Sequence, residues 1–581
     1  MTPGSHKRLA ADPGGLPIKE RRYILQWTGT AAGTGFFSPR PEGEPDFSTA
    51  LAWLRHCPMD SFLHQYLLQD LVSRPAGTLS ALAQGQAADD PLLRALLLEA
   101  AYLREEAALE AALVPAEGDR ALVGATPAIF LRHRRLGDRA RHRYWIQQLA
   151  ANIFQHLPIS SADAVPLPCA GALPPETTVS IDGLPSPSPR PPSDRPPAAE
   201  VIAAAGERLS RLNILASIEM RHEASLSPVA LLRQWRLERR VRNGRLHYRL
   251  GGFMTAYGRG LTVEAARVSC LMEIVERYSA FGDFSPEAVA GHGRPVPLVK
   301  ASMRELKRAG HRALDPNHLG LEAPWEDAPL HWRPARIVEP HGEADIWIPA
   351  QCVYLFCNLD EPDLFSALGS TGLASGSTMA EARLAALLEI VERDAEATTL
   401  FDPAACFTVC AEAEPIRGLL AHYQRLGIHL QFQDLTGPLG IPCYKCFVST
   451  PEGGIAKGTG AHLDGQRALL SALTETMYPY PNGPASRPGL PNLPRRSFES
   501  LPDYSSGSAN GDLQRLQRLL LANGLSPVFA DLTRADLEFP AVRAVVPGLT
   551  IMADFDRFSR LTPRQAAALR RAGAKRRETR D

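Results

Sequence analysis

Cysteine is scarce in this chain: nine residues in 581, an odd number, fit reduced thiols and leave no disulfide framework to hold the fold. Charge is not in excess in either direction. Lys plus Arg and Asp plus Glu stand at 63 each, so net charge supplies no long-range pull toward nucleic acid or a membrane, and neither is expected as a partner. Long apolar runs are missing as well. The most apolar helical stretch, PLLRALLLEAAYL, is broken by Arg94 and Glu99, short of the ~20 residues a span requires. The opening residues, MTPGSHKRLAADPGG, carry no apolar signal segment, so a cytoplasmic location is expected. No GxxxxGK[ST], no GxGxxG after a strand and no nucleophile elbow occurs, which leaves Walker A, dinucleotide-fold and hydrolase readings without a motif.

What remains is an ordinary globular composition, 45% hydrophobic and 22% charged, on a chain long enough for several domains of ~150 residues. Residues 46–158 carry apolar side chains at three- and four-residue spacing and read as helices, so residues 1–164 are expected to form a mostly helical domain. Eleven prolines between Val165 and Pro197 mark an extended linker over 165–200. Beyond it, strand-like runs such as IPCYKCFVST and AVRAVVPGL alternate with helices, which indicates an α+β (mixed α/β) domain over 201–560. Within that domain the proline-rich stretch 479–510 reads as a mobile loop. Residues 561–581 read as a basic C-terminal tail.

One internal echo stands out. SCLMEIVERYSAF at 269–281 and AALLEIVERDAEA at 385–397 share Glu-Ile-Val-Glu-Arg, and both are helical by their apolar spacing. On the first helix Ser269, Glu273, Glu276 and Arg277 stand at i, i+4, i+7 and i+8, one stripe; Glu389, Glu392 and Arg393 repeat it. Carboxylates at i and i+3 repel unless a cation offsets them, and two such pairs facing one cleft would suit Mg²⁺, which takes oxygen ligands. The bland alternative is a solvated stripe with Glu273–Arg277 and Glu389–Arg393 as i,i+4 ion pairs of about 0.3–0.5 kcal/mol each. Gly-rich lead-ins, AYGRGLTVEAAR and GLASGSTMAEAR, precede both helices and can offer backbone N–H groups to an anion. Glu381 fits equally a capping box with Thr378 and a ligand position facing Glu389. His462 reads as a loop histidine bonded to backbone or as a residue near a nucleotide. The Cys406/Cys410 and Cys443/Cys446 pairs read as small buried thiols rather than a zinc site.

Taken together, Ser269-x-x-x-Glu273-x-x-Glu276-Arg277, Gly376-Ser-Thr-x-x-Glu381 leading into Glu389-x-x-Glu392-Arg393, GTGAHLDGQRALLSALTE at 458–475 and FADLTRADLEFPAVRAVVPGL at 529–549 resemble the YcaO family over roughly residues 205–560. The resemblance implies a YcaO-type domain of mixed sheets and packed helices, with ATP and Mg²⁺ as cofactors. By its motifs, Glu273, Glu276, Glu381, Glu389 and Glu392 would meet the metal, and Ser269, Arg277, Ser377, Arg393 and Glu475 the ATP. No catalytic acid or base is assigned. It further implies activation of peptide backbone amides: a Cys, Ser or Thr side chain or a sulfide adds to the amide carbon, the former amide oxygen is phosphorylated, and loss of phosphate leaves an azoline or a thioamide. The expected partners are a peptide substrate of ribosomal origin and a leader-peptide-binding, TfuA-like or ubiquitin-activating-enzyme-like protein; a homodimer is allowed. The motifs depart from the family at Ser377 (usually Asn), Tyr478 (usually Gln) and Arg259 (often Lys). Two alternatives follow: an accessory factor for a ribosomal-protein methylthiotransferase, and a non-catalytic scaffold with a degenerate ATP site.

Overall fold

The structure, a computed structural model, describes residues 20–29, 35–85, 87, 89–115, 118–159, 165–168, 179–185, 195–550 and 555–578. The N-terminal fifteen residues and the linker positions 169–178 and 186–194 lie outside them. Helices and mixed sheets make an α+β fold. Among the described residues the strands form sheets of eight, six and five.

The largest sheet is built on a hairpin of two 15-residue strands, Val229–Asn243 and Leu246–Gly260, paired in register from Val229↔Gly260 to Asn243↔Leu246. The stretch from Trp235 to Asn243 alternates buried and exposed residues, as a strand packed on one face requires. Gly244 turns the chain at φ +53°, and a Cβ there would stand 2.4 Å from the Asp360 carboxylate, so the tight turn takes glycine.

Helices over 46–158 form as expected, from Phe47–His56 to Arg139–Gln155. They do not, however, enclose a core of their own. Residues 20–41 form a hairpin, Arg21–Gly29 with Gly35–Pro41, whose first strand runs parallel to Leu246–Gly260 and so extends the large sheet. Tyr23 of that hairpin, Phe62 of the helix Ser61–Ser73 and Tyr248 of the long hairpin meet edge-on at 5.3–5.6 Å between ring centroids. Asp60 joins the same layers, accepting from Tyr23 Oη at 2.6 Å and Asn358 Nδ2 at 2.9 Å. The proline-rich segment thus bridges two parts that share one apolar core.

Two further expectations change in three dimensions. Within 479–510, Arg495–Ser497 pairs parallel with Cys406–Cys410, and Tyr480, Phe498 and Leu501 are buried, so the stretch is laid into the five-stranded sheet. The basic tail forms the helix Pro563–Glu578. Leu561, Ala566 and Leu569 pack on Trp145, Ile146, Leu149 and Ile153. Arg564 grips both oxygens of buried Asp394 at 2.7 and 2.6 Å, a bidentate pair that outweighs the tail's general solvation. No described helix is long and apolar enough to cross a membrane.

Candidate active site

Three strand-and-helix units of the same construction build the site. In each, a strand runs into a capped helix: Leu246–Gly260 into Val263–Ser279, Leu373–Ser375 into Met379–Thr398, and Ile455–Ala461 into Gly465–Glu475. Thr262, Thr378 and Asp464 cap the helices by accepting N–H groups of the first turn. The glycines of the lead-ins serve this packing. A Cβ on Gly258 would lie 2.0 Å from the Ala266 carbonyl, and one on Gly376 2.7 Å from Ala382 N. These glycines let helix and strand touch, a different role from the anion cradle expected of them.

The first two helices then return a carboxylate to the strand side. Glu273 accepts from Tyr257 N at 2.8 Å and Glu389 from Gly372 N at 3.0 Å, so the sequence repeat is also a repeat of geometry. With these anchors, helices 100 residues apart in the chain face one cavity of about 1560 Å³. Ser269, Glu273, Glu276, Arg277, Glu389, Arg393 and Glu475 all line it. So do residues that motif reasoning did not single out as ligands: Arg259, Lys457, Ser471 and Phe154.

The carboxylates feel one another across the cavity. Burial pushes Glu276 up to about 8, and Glu389 and Glu273 push the same way against Arg277. Burial likewise raises Glu389 and Glu475. Arg277 lies 3.4 Å from Glu276 and 3.8 Å from Glu273, and Arg393 lies 3.9 Å from Glu392, 4.0 Å from Glu389 and 3.4 Å from Glu396. Both arginines stand among more negative charge than they offset, unlike the solvated i,i+4 pairs of the bland reading. Among the described residues no three His, Cys, Asp or Glu side chains converge on a single metal-binding point.

Three expected residues stand apart. Glu392 sits behind the wall: its oxygens accept Thr459 Oγ1 at 3.1 Å and Ala461 N at 3.2 Å, and burial with Glu475 nearby raises its pKa. Glu381 is engaged at its helix start, accepting Ser377 N at 2.9 Å and meeting Arg195 at 3.2 Å, the capping role rather than a place in the cavity. Ser377 shares that corner and is also off the wall. Tyr478 is a core residue whose hydroxyl donates to the Pro484 carbonyl. His462 accepts from Asp464 N at 2.9 Å, and burial holds it down at about 4, the backbone-bonded loop histidine. The eight described cysteines are free.

The oxygen-only donor set, the excess of buried negative charge and the volume fit a hard divalent cation. Arg259 adds a cationic counterpart: its Nε is buried without a hydrogen-bond partner, and the side chain is 4.0 Å from Glu475. With Lys457 it offers what a polyphosphate would take up. The arrangement can therefore hold a polyanion together with its metal, from three helices at once.

A family described as YcaO cyclodehydratase, ATP- and Mg²⁺-binding, matches residues 257–482 and 478–550. The chain belongs to the YcaO family, whose cofactors are ATP and Mg²⁺. An uncharacterized protein of Methanothermobacter thermautotrophicus is 29% identical over 333 residues, 51% of this chain and 82% of that protein. An uncharacterized protein in the tfuA 3′ region of Rhizobium leguminosarum bv. trifolii is 28% identical over 240 residues, 38% of this chain and 53% of that protein. Solved structures similar to it include a heterocyclase in complex with substrate and cofactor (19% identity, TM-score 0.45, 61% of this chain and 52% of that one). Another is YcaO from Methanopyrus kandleri bound with AMPPCP and Mg²⁺ (20%, TM-score 0.43, 64% and 96%). Phe154 lies outside the matched residues, so the N-terminal helices complete a wall of a cavity that the family domain otherwise forms.

Proposed function

We propose that this protein activates backbone amides of a ribosomally made peptide at the expense of ATP, forming azolines or thioamides. The observation that carries the reading is the shared cavity, where Glu273, Glu276, Glu389 and Glu475 from three helices face Arg259, Arg277, Arg393 and Lys457. One or two of these carboxylates at a time would hold Mg²⁺ together with the phosphates, and Arg259 with Lys457 would take the phosphates. When bound, MgATP supplies the phosphoryl group that makes the amide oxygen a leaving group. The protein's share is positional and electrostatic. The helices hold the carboxylates at fixed spacing, and the arginines neutralise charge that develops on the transferred group. Glu392 fixes the third unit against the second by accepting the Ala461 N–H, which makes it a positioning residue.

The rhizobial relative's place in a tfuA region favours a TfuA-like partner. Retention of a cation at Arg259 and of carboxylates on all three helices weighs against a degenerate scaffold, since Ser377 and Tyr478 both lie off the cavity wall. Purified protein with Mg²⁺ and a peptide encoded beside its gene should consume ATP and change the peptide's mass. A loss of water marks cyclodehydration and a replacement of oxygen by sulfur marks thioamidation. A protein that binds no ATP in the presence of Mg²⁺ ends the proposal.

A further inference from the structure

A second cavity, of about 500 Å³, lies where the N-terminal helices meet the family domain. Phe36, Phe37, Phe62, Phe130, Phe356 and Phe365 line it, the first three from the N-terminal hairpin and its neighbouring helix. Ser61, His64, Gln65, Gln351, Tyr354 and Asp363 interrupt this wall. Gln351 is spent internally, donating to Glu361 at 2.6 Å and accepting from Leu364 N at 2.8 Å. His64 is 2% exposed and paired with Glu99 at 3.1 Å. Asp363 differs from both. Its backbone is bonded to Pro127 and Arg132, but its carboxylate lines the cavity and forms no salt bridge within 4 Å among the described residues. Burial pushes this carboxyl up to about 7, against the pull of His64 and Arg132. Arg132, His64 and a hydrogen bond with Ser61 pull on this carboxylate without offsetting its burial beside the aromatic rings, and a further cation on an apolar stem would relieve it through both the charge and the ring faces.

The cavity also adjoins the nucleotide site. Residues 365–369 line it, and the next residue, Ser370, lines the 1560 Å³ cavity together with Leu373, Ala374 and Ser375. Ser366 is tied to Glu322 through both its N–H and its hydroxyl, which fixes the strip between the two cavities. Strand addition at the neighbouring sheet edge is disfavoured, because Pro39 and Pro41 in the outermost strand have no N–H to donate. A side chain inserted into the cavity is the mode left open.

We propose that this aromatic cavity, with Asp363 in its lining, receives a lysine or arginine side chain of the peptide whose amide is presented to the neighbouring nucleotide site. That the cation belongs to a peptide rests on the function proposed above; that the cavity takes a cation on an apolar stem does not. The test uses the full-length protein and three capped amino acids, N-acetyl-argininamide, N-acetyl-norleucinamide and N-acetyl-phenylalaninamide, followed by ligand-observed NMR, with MgATP affinity measured alongside. Argininamide should bind, norleucinamide should bind at least tenfold more weakly, and excess MgATP should not displace argininamide. Asp363→Asn should weaken argininamide at least tenfold while leaving MgATP affinity within twofold. Ala367→Trp, at an exposed position on the cavity lining, should block it in the same way with an unchanged melting temperature. Equal binding of the three amides, displacement by MgATP, full affinity in both variants, or no binding at all would each overturn the assignment. Argininamide binding in a protein that never binds MgATP would sink the proposed function and leave the cavity assignment standing.

Discussion

The two Glu-Ile-Val-Glu-Arg helices share a pentapeptide and differ in what their second glutamate does. Glu276 faces the cavity with Arg277 as its near partner and carries a pKa near 8. Glu392 occupies the equivalent position, yet it is 8% exposed, accepts from Thr459 and Ala461, and stays off the wall. The cause lies outside the helices. The strand Ile455–Ala461 packs beside the second helix and consumes the carboxylate, whereas the first presents its glutamate to open volume. A repeat in the chain therefore overcounts ligands: identical residues on identical helices become one open carboxylate and one structural acceptor.

Matched substitutions sharpen this contrast. Glu276→Ala should cut Mg²⁺-dependent ATP turnover at least about a hundredfold, the loss of one charge-stabilising group, while the melting temperature holds or rises. Equal turnover in that variant would break the comparison at its functional end. Next in size is a pH effect read by thermal unfolding in EDTA. The folded-state pKa of Glu276 near 8 lies above its ordinary 4.5, so the folded protein binds the extra proton between those values and loses stability as pH rises through them. Glu276→Gln removes that loss: it should match the parent near pH 5 and exceed it by on the order of 2 kcal/mol near pH 8. Glu392→Ala should instead destabilise by about 1–2 kcal/mol near pH 5, because the buried Ala461 N–H loses its acceptor, and the deficit should shrink toward pH 8, since burial raises the Glu392 carboxyl to about 8 as well. The smallest effect falls to Glu381→Gln, about 0.5 kcal/mol from a weakened helix start, with the KM for ATP unchanged. A raised KM there would return Glu381 to the site.

The twin helices and their convergence were legible because the repeat is local and the apolar spacing leaves only one stripe for charge. The third unit was legible as a motif, and Glu475 came with it. Arg259, Lys457 and Phe154 were not singled out as ligands, since each gains its role from a neighbour distant in the chain; Phe154 reaches the cavity only because its helix docks beside Lys457. The N-terminal hairpin carries a faint signal, Tyr23 and Leu25 alternating in RRYILQWTG, but its partner strand begins more than 200 residues later. The lead-in glycines were visible and misread: Gly258 and Gly376 answer a helix pressed against their strand, a contact that composition does not reveal.

The grip of Arg564 on Asp394, and of Leu561 and Leu569 on Trp145 and Leu149, sets an order for maturation during synthesis. A ribosome that has released residues 1–550 has made every carboxylate of the cavity, yet the back of the second acidic helix stays bare until residues 561–569 emerge. Premature stop codons in that short stretch should therefore yield protein that carries all its ligands and still fails to mature.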